Sequence, residues 1–352
     1  MKNIIVNLSN MALDSENLTG HRYGNSCGID FNQDAVFLPV LYGIFFSLGT
    51  PLNILSLVGL YKLIKTENVL PVYVLNLLLA DLIQLLTLPL WIDYYKNDHY
   101  WRFGPRVCQF TSLCFYVSMY AAIFFMCIIA LERHLAIACP LKFHFLSRLK
   151  FARWFALGIW VMITIPLSIA FNKLFPVRAN YTLCIEKYPS GGGFITYRLI
   201  TLLISFVIPL AFILILHVKT LRSLMAVTAL ASNEKRRIKS LLTLLVVIFL
   251  VVLGPYHIIG CVKYLGLLFH GDSYVCAWEK AIFMPFQLGR GLLSLNSLLD
   301  PVLYIFLRND FRSAAARNLP CLRRMTWGLS QARASCGRSE PMENGTGSTD
   351  GL

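Results

Sequence analysis

Residues 109–141 read QFTSLCFYVSMYAAIFFMCIIALERHLAIACPL. From Gln109 to Leu131 this stretch carries no charge, and about 20 apolar residues suffice to cross a bilayer as a helix. It then passes into Glu132, Arg133 and a basic loop. An acid beside an arginine at the mouth of an apolar helix is costly to desolvate unless the two pair. Glu132 and Arg133 therefore read as an ion pair, neutral while a helix bundle is closed and separable when it opens. A cluster that merely snorkels to the interface is the alternative. The flanking runs decide between them.

Six further apolar runs surround this one, at 35–61, 68–92, 154–172, 199–216, 240–262 and 281–307. Backbone groups in lipid must be paired within the chain, so each run is expected to be helical. Prolines 89, 166, 209, 255 and 301 should kink these helices rather than end them. Only 14% of the residues are charged, against about 25% in soluble chains, which removes a soluble fold. The net charge of +14 then points to a membrane, not to nucleic acid. The fold class expected is an all-α membrane protein, a seven-transmembrane helix bundle.

Seven spans put the termini on opposite sides. Lysines and arginines concentrate at 62–65, 133–153, 219–239 and beyond 307. The positive-inside rule makes that side cytoplasmic and leaves the N-terminus outside. The expected organisation is an extracellular tail over 1–34, the bundle over 35–307, an amphipathic membrane-surface helix over 308–320 and a disordered cytoplasmic tail over 321–352. No cleaved signal peptide is expected. Asn7, Asn17 and Asn180 head glycosylation sequons on the outer side. Cys321 is a palmitoylation candidate.

Cys27, Cys108, Cys184 and Cys276 fall at outer ends or loops, where oxidation is favoured. Cys108 with Cys184 would pin the second outer loop over the bundle, leaving Cys27 with Cys276. Four cysteines allow three connectivities.

Asp81 and Asp300 are acids inside apolar runs, with Asn53 and Asn296 in neighbouring ones. Intramembrane acids are functional candidates, and two close carboxyls need a shared proton or a cation such as sodium at Asp81. A polar knot that only fixes packing is the alternative. Arg290 lies about three turns outward of Asp300. It suits a carboxylate or phosphate ligand, unless a salt bridge to Glu186 or Glu279 occupies it.

Asn53, Leu77 with Ala80-Asp81, Glu132-Arg133, Trp160, Pro209, Phe249 with Pro255, and Asp300-Pro301-Val302-Leu303-Tyr304 occur in this order. Together they resemble the signatures of the rhodopsin-like (class A) G-protein-coupled receptors, over roughly residues 35–320. His134, His217 and Leu253 depart from the usual residues. Thr87–Tyr95, Asn180–Pro189 and Gly254-Pro255-Tyr256-His257 are similar to the proton-sensing, lysolipid-related subfamily.

The resemblance implies a plasma-membrane receptor for heterotrimeric G proteins, with arrestin as a further partner, no cofactor and no enzymatic chemistry. Glu132, Arg133, Pro140, Leu141, His217, Asp300, Pro301 and Tyr304 would form its activation and coupling machinery. The ligand expected is an acidic lipid, such as a lysophospholipid or oxidised fatty acid, or the proton. Arg290, His257, Tyr116, Tyr120, Tyr256 and Gln287 are the expected ligand-facing set, with Phe283, Met284 and Phe286 beside an acyl chain. Gly28, Ala35, Ile163, Tyr181 and Gln287 stand where the subfamily carries its acid-sensing side chains, which implies a blunted acid response. Protons would then act through His257 and the Asp81–Asp300 pair; His21, His99 and His270 are placed differently.

Three rival classes were weighed. A retinal light sensor needs a lysine within 281–307, which has none. A transporter or channel would gain support from internal repeats, and none is visible. An intramembrane protease would need a His-Glu-x-x-His cluster, also absent.

Overall fold

The computed structural model describes residues 25–61, 69–138, 148–174, 183–227, 232–269 and 274–307. Its helices are α1 (Phe37–Tyr61), α2 (Leu70–Lys96), α3 (Pro105–Ala138), α4 (Leu149–Leu174), α5 (Gly192–Ala226), α6 (Ser232–Ile248), α7 (Gly254–Phe269), α8 (Val275–Leu293) and α9 (Asn296–Leu307). A π-helical turn, Phe249–Leu253, joins α6 to α7. Pro255, one residue into α7, lacks an N–H and crowds the preceding carbonyls, so the helix widens there instead of ending.

Six stretches are long and apolar enough to span a bilayer, from Phe37–Leu60 to Ile238–Phe269. The seventh span is made of α8 and α9. Two short-range bonds, Ser294 N to Gly291 O (3.2 Å) and Leu295 N to Leu292 O (3.0 Å), tighten the chain where the two meet. The expected seven-helix bundle is thus present, with its last span in two pieces rather than one.

Helix α3 runs through the middle, packed against α2, α4 and α5, and its apolar window is the most buried of the six. On α1, Val40, Ile44 and Leu48 are exposed at four-residue intervals. Trp154, Leu157, Val161, Ile165 and Ile169 do the same on α4. Such stripes are unfavourable in water and neutral in hydrocarbon, so they mark the lipid-facing side. Inside, Trp160 Nε1 donates to Asn76 Oδ1 (2.9 Å) and ties α4 to α2. Gly289 lets α8 approach α7 closely: a Cβ there would lie 3.0 Å from the Tyr256 Cα.

Part of the N-terminal tail is folded over the outer end. Asn25 clamps Ile29 through both side-chain atoms, at 2.9 Å each. Ser26 N donates to Tyr188 O (2.8 Å). Phe31–Gln33 forms one 3-10 turn, capped by Asp30. Cys27, Ile29, Phe31, Leu183, Tyr188 and Phe283 make a small apolar core under it. Disulfides Cys27–Cys276 and Cys108–Cys184 staple this cap to the bundle, in the pairing favoured among the three connectivities.

Asn7, Asn17, Pro140, Leu141, Asn180, the 308–320 amphipathic helix, Cys321 and the 321–352 tail all lie outside the described residues.

Candidate functional site: an outer cationic cavity and a buried clasp

A cavity opens at the disulfide-stapled end, roofed by Cys184-Ile185-Glu186-Lys187-Tyr188 and floored by aromatic side chains of α2, α3, α5, α7 and α8. Four cations line it: exposed Lys187 in the roof, and Arg198, Lys263 and Arg290 in the wall. Two of the three wall cations have carboxylate partners. Lys263 Nζ lies 2.9 Å from Glu279 Oε2, and Glu279 also accepts from the Ser190 hydroxyl (2.9 Å). Arg290 Nη1 donates to Glu186 Oε1 and to the Tyr95 hydroxyl (3.1 Å). The salt bridge weighed against Arg290's availability is therefore formed, to Glu186. Arg198 has no carboxyl group in ion-pair contact among the described residues.

Glu186 leads outward into a buried network. Its Oε2 accepts from the Tyr94 hydroxyl (3.0 Å) and lies 2.7 Å from His99 Nδ1. His99 Nε2 lies 3.0 Å from Asp34 Oδ1. Gln287 Nε2 donates to Asp34 Oδ2 (2.7 Å). His99 and Asp34 are wholly buried. Phe31 stacks on the imidazole, centroid to centroid 4.1 Å. Both ring nitrogens face carboxyl oxygens, an arrangement that imidazolium, with an N–H on each side, satisfies in full. Burial pushes the His99 pKa down, but the Glu186 charge and hydrogen bonds to Asp34 and Glu186 outweigh it, leaving it raised. Burial alone would raise Glu186; Arg290 and His99 instead hold it well below the usual carboxylate range. The clasp joins the N-terminal cap, the first outer loop, the second outer loop and α8.

Of the ligand-facing set expected from sequence, Arg290 and Tyr116 line the cavity, as does Phe286. Tyr256 touches it only through Arg198, whose Nη2 donates to the Tyr256 hydroxyl. Tyr120 is not among the lining residues. Gln287 serves the clasp. Phe283 packs under the N-terminal cap against Phe31 and Tyr188 instead of facing a ligand, and Met284 packs against the same core. His257 sits below: Nδ1 lies 2.7 Å from Leu253 O, and Nε2 lies 3.1 Å from the Ser205 hydroxyl.

Deeper, Asn296 Nδ2 donates to Asp300 Oδ2 (2.8 Å) and reaches Asp81 Oδ1 at 3.5 Å. Asn53 Nδ2 donates to Ser297 O (2.7 Å) and Gly49 O (2.8 Å), joining α1 to α9. Asp81 Oδ2, Asp300 Oδ1 and Asn296 Oδ1 are buried with no partner among the described residues. That set of oxygens fits a small hard cation such as sodium, and two buried acids this close need one or a proton.

At the other end, Arg133 grips the neighbouring Glu132 as a fork, Nε to Oε2 at 2.5 Å and Nη2 to Oε1 at 2.7 Å. Thr220 Oγ1 donates to Leu216 O (2.6 Å), so His134 Nδ1, 3.0 Å away, is the donor to Thr220. This bond links α3 to α5 one residue beyond Arg133. His217 Nδ1 has no partner among the described residues. Pro301 and Tyr304 lie on α9.

Sequence reading passed over Arg198 and Lys263 and took Glu279 only as a partner for Arg290, because each stands just outside an apolar run: 199–216, 240–262 and 281–307. The helices continue past those edges. Helix length was the signal that would have recovered Arg198, since the 199–216 run is short for a span.

The sequence profile described as 7 transmembrane receptor (rhodopsin family) matches residues 52–304. The chain is 33% identical over 289 residues to G-protein coupled receptor 65 of Homo sapiens, covering 79% of this chain and 85% of that one. It is 30% identical over 339 residues to G-protein coupled receptor 68 of Mus musculus, covering 95% and 91%. The uracil nucleotide/cysteinyl leukotriene receptor of Mus musculus is 28% identical over 305 residues, covering 86% and 88%. These relatives are receptors, not enzymes. With the Glu132–Arg133 fork at one end of a seven-helix bundle and a loop-roofed cavity at the other, the chain belongs to the rhodopsin family of G-protein-coupled receptors.

Proposed function

We propose that this receptor sits in the plasma membrane with its N-terminus outside, and that an extracellular acidic lipid seated in the outer cavity drives its G proteins and then arrestin. Both disulfides lie at the cavity end, as an oxidising exterior requires. Among the described residues, Arg133, Arg148, Lys150, Arg153, Lys219 and Arg222 lie toward the other end of α3, α4 and α5. The observation that carries the ligand class is the wall of three cations among aromatic side chains. A related receptor is named for a uracil nucleotide and a cysteinyl leukotriene, both anionic. Ligand binding shifts a two-state helix equilibrium: the inner end opens, Arg133 leaves Glu132, and a G-protein segment enters. Second-messenger responses of transfected cells to lysophosphatidic acid and an oxidised fatty acid test this. A concentration-dependent response to either, lost with the methyl ester of the fatty acid, is expected. Equal responses to acid and ester would refute the acidic class.

The buried His99 supports a second reading, acid sensitivity. Its titratable neighbours are Asp34, Glu186, Tyr94 and Tyr95, with Phe31 and Phe283 on the ring and Arg290 behind Glu186. This moves the acid reading from His257, whose ring nitrogens face Leu253 and Ser205, to the outer clasp. Signalling measured from about pH 6 to 8 should change in the parent and be flat in His99→Gln. A pH response unchanged in that variant would exclude it.

A further inference from the structure

We propose that Arg198 is the anion-docking point of the outer cavity, and that the carboxylate or phosphate of a ligand binds it in preference to Arg290. This rests on the acidic-ligand reading above and names its anchoring residue.

Arg198 enters from α5 and is 5% exposed. Its guanidinium lies over the Tyr116 ring, 4.9 Å from the centroid, with the Phe194 and Tyr256 rings at 6.0 and 5.9 Å. One amino group donates to the Tyr256 hydroxyl. The Nε is buried with no partner among the described residues. Ring faces stabilise a cation only modestly, and less than leaving a buried charge uncompensated costs. The aromatic cage thus leaves a deficit that only an anion makes good. Lys263 and Arg290 carry no such deficit, because Glu279 and Glu186 already meet them. An anion at Arg290 would have to break that bridge and the clasp behind it; at Arg198 it displaces nothing charged.

The chemistry of the edge is suitable. The free Nε and the neighbouring amino group form the planar fork that takes a carboxylate or phosphate bidentately. The Tyr256 hydroxyl accepts from Arg198 and is itself hydrogen-bonded to Tyr116, which holds the guanidinium edge in place. The cavity offers about 50 Å3 to the centres of water molecules, and one water needs roughly 10–15 Å3 by that measure. The space therefore suits a head group and not an acyl chain, which must lie toward the mouth or part the aromatic walls. Tyr256 follows Pro255 and the π-helical turn, and Phe206 of α5 stacks on His257 (5.1 Å) and on Phe249 (5.8 Å). An anion joining Arg198 to Tyr256 would couple α5 to α7 just above the bend.

The test uses the full-length receptor in neutral-lipid nanodiscs and reads its thermal midpoint with inorganic phosphate, lysophosphatidic acid, an oxidised fatty acid and its methyl ester. Phosphate and at least one acidic lipid should protect the parent. Arg198→Gln should weaken that protection at least tenfold in concentration and Arg198→Lys less, while Arg290→Gln should retain it. The methyl ester should not protect. Without ligand, Arg198→Met should melt no lower than the parent, since it removes an unpaired charge and keeps the bulk. Phosphate protection abolished by Arg198→Gln, with no effect of the lipids, would keep the anion site and sink the lipid reading. Protection undiminished in Arg198→Gln, no protection of the parent by any anion, or a marked destabilisation by Arg198→Met would overturn the assignment.

Discussion

Replacing His99 by glutamine tests the outer clasp directly. The imidazole is fully buried, 2.7 Å from Glu186 and 3.0 Å from Asp34. Glutamine brings one amide donor group and no charge, so it satisfies one carboxyl and abandons the other. Breaking one side of a buried charge cluster costs about 3–5 kcal/mol, and losing the Phe31 stack adds about 0.5–1.5 kcal/mol. At roughly 2 °C per kcal/mol for a large domain, the melting temperature should fall by about 7–13 °C. The loss should depend on pH with a definite sign. The folded-state pKa of His99 is raised, so its stabilisation is full below the ordinary imidazole value of about 6.5. It fades as pH climbs through the higher folded-state value. Glu186 is held below the usual carboxylate range and stays ionised throughout, which assigns the titration to the imidazole. Thermal melts of purified receptor in nanodiscs, from about pH 6 to pH 9, should therefore show the parent losing stability upward while His99→Gln changes little. The gap between them should be widest at acid pH. A flat parent profile, or a gap of constant size, would refute the imidazolium clasp.

Arg133→Ala should reach the cell surface, yet lose at least tenfold in nucleotide exchange on purified G protein; full exchange would remove Arg133 from the coupling machinery. Gly289→Ala should lower the melting temperature by the equivalent of about 1–3 kcal/mol, because the new methyl meets Tyr256 backbone at 3.0 Å; an unchanged melt would mean that α7 and α8 yield freely there.

Membership of the fold was legible in the chain alone, and for a physical reason. A bilayer allows only self-paired helices of a set length, so seven uncharged or nearly uncharged runs translate almost directly into seven spans. The Glu132–Arg133 pair was legible too, since two charges adjacent in sequence at a helix end have few other partners. Pairing of the four outer cysteines followed topology, although three connectivities stood open until the fold placed Cys27 against Cys276 and Cys108 against Cys184.

The outer site was decided by tertiary structure. Apolar runs stop at charged residues, but helices do not. Helix α5 begins at Gly192, α7 continues to Phe269 and α8 begins at Val275, so Arg198, Lys263 and Glu279 are drawn into the bundle from positions that read as loop edges. Whether Arg290 meets Glu186 depends on a loop folded back from 104 residues away. His99 looked like one exposed loop histidine among several. It is buried because Asp34, 65 positions earlier, and Glu186, 87 positions later, converge on its two nitrogens. A side chain's charge state is set by neighbours in space, and composition or periodicity along the chain carries no record of them.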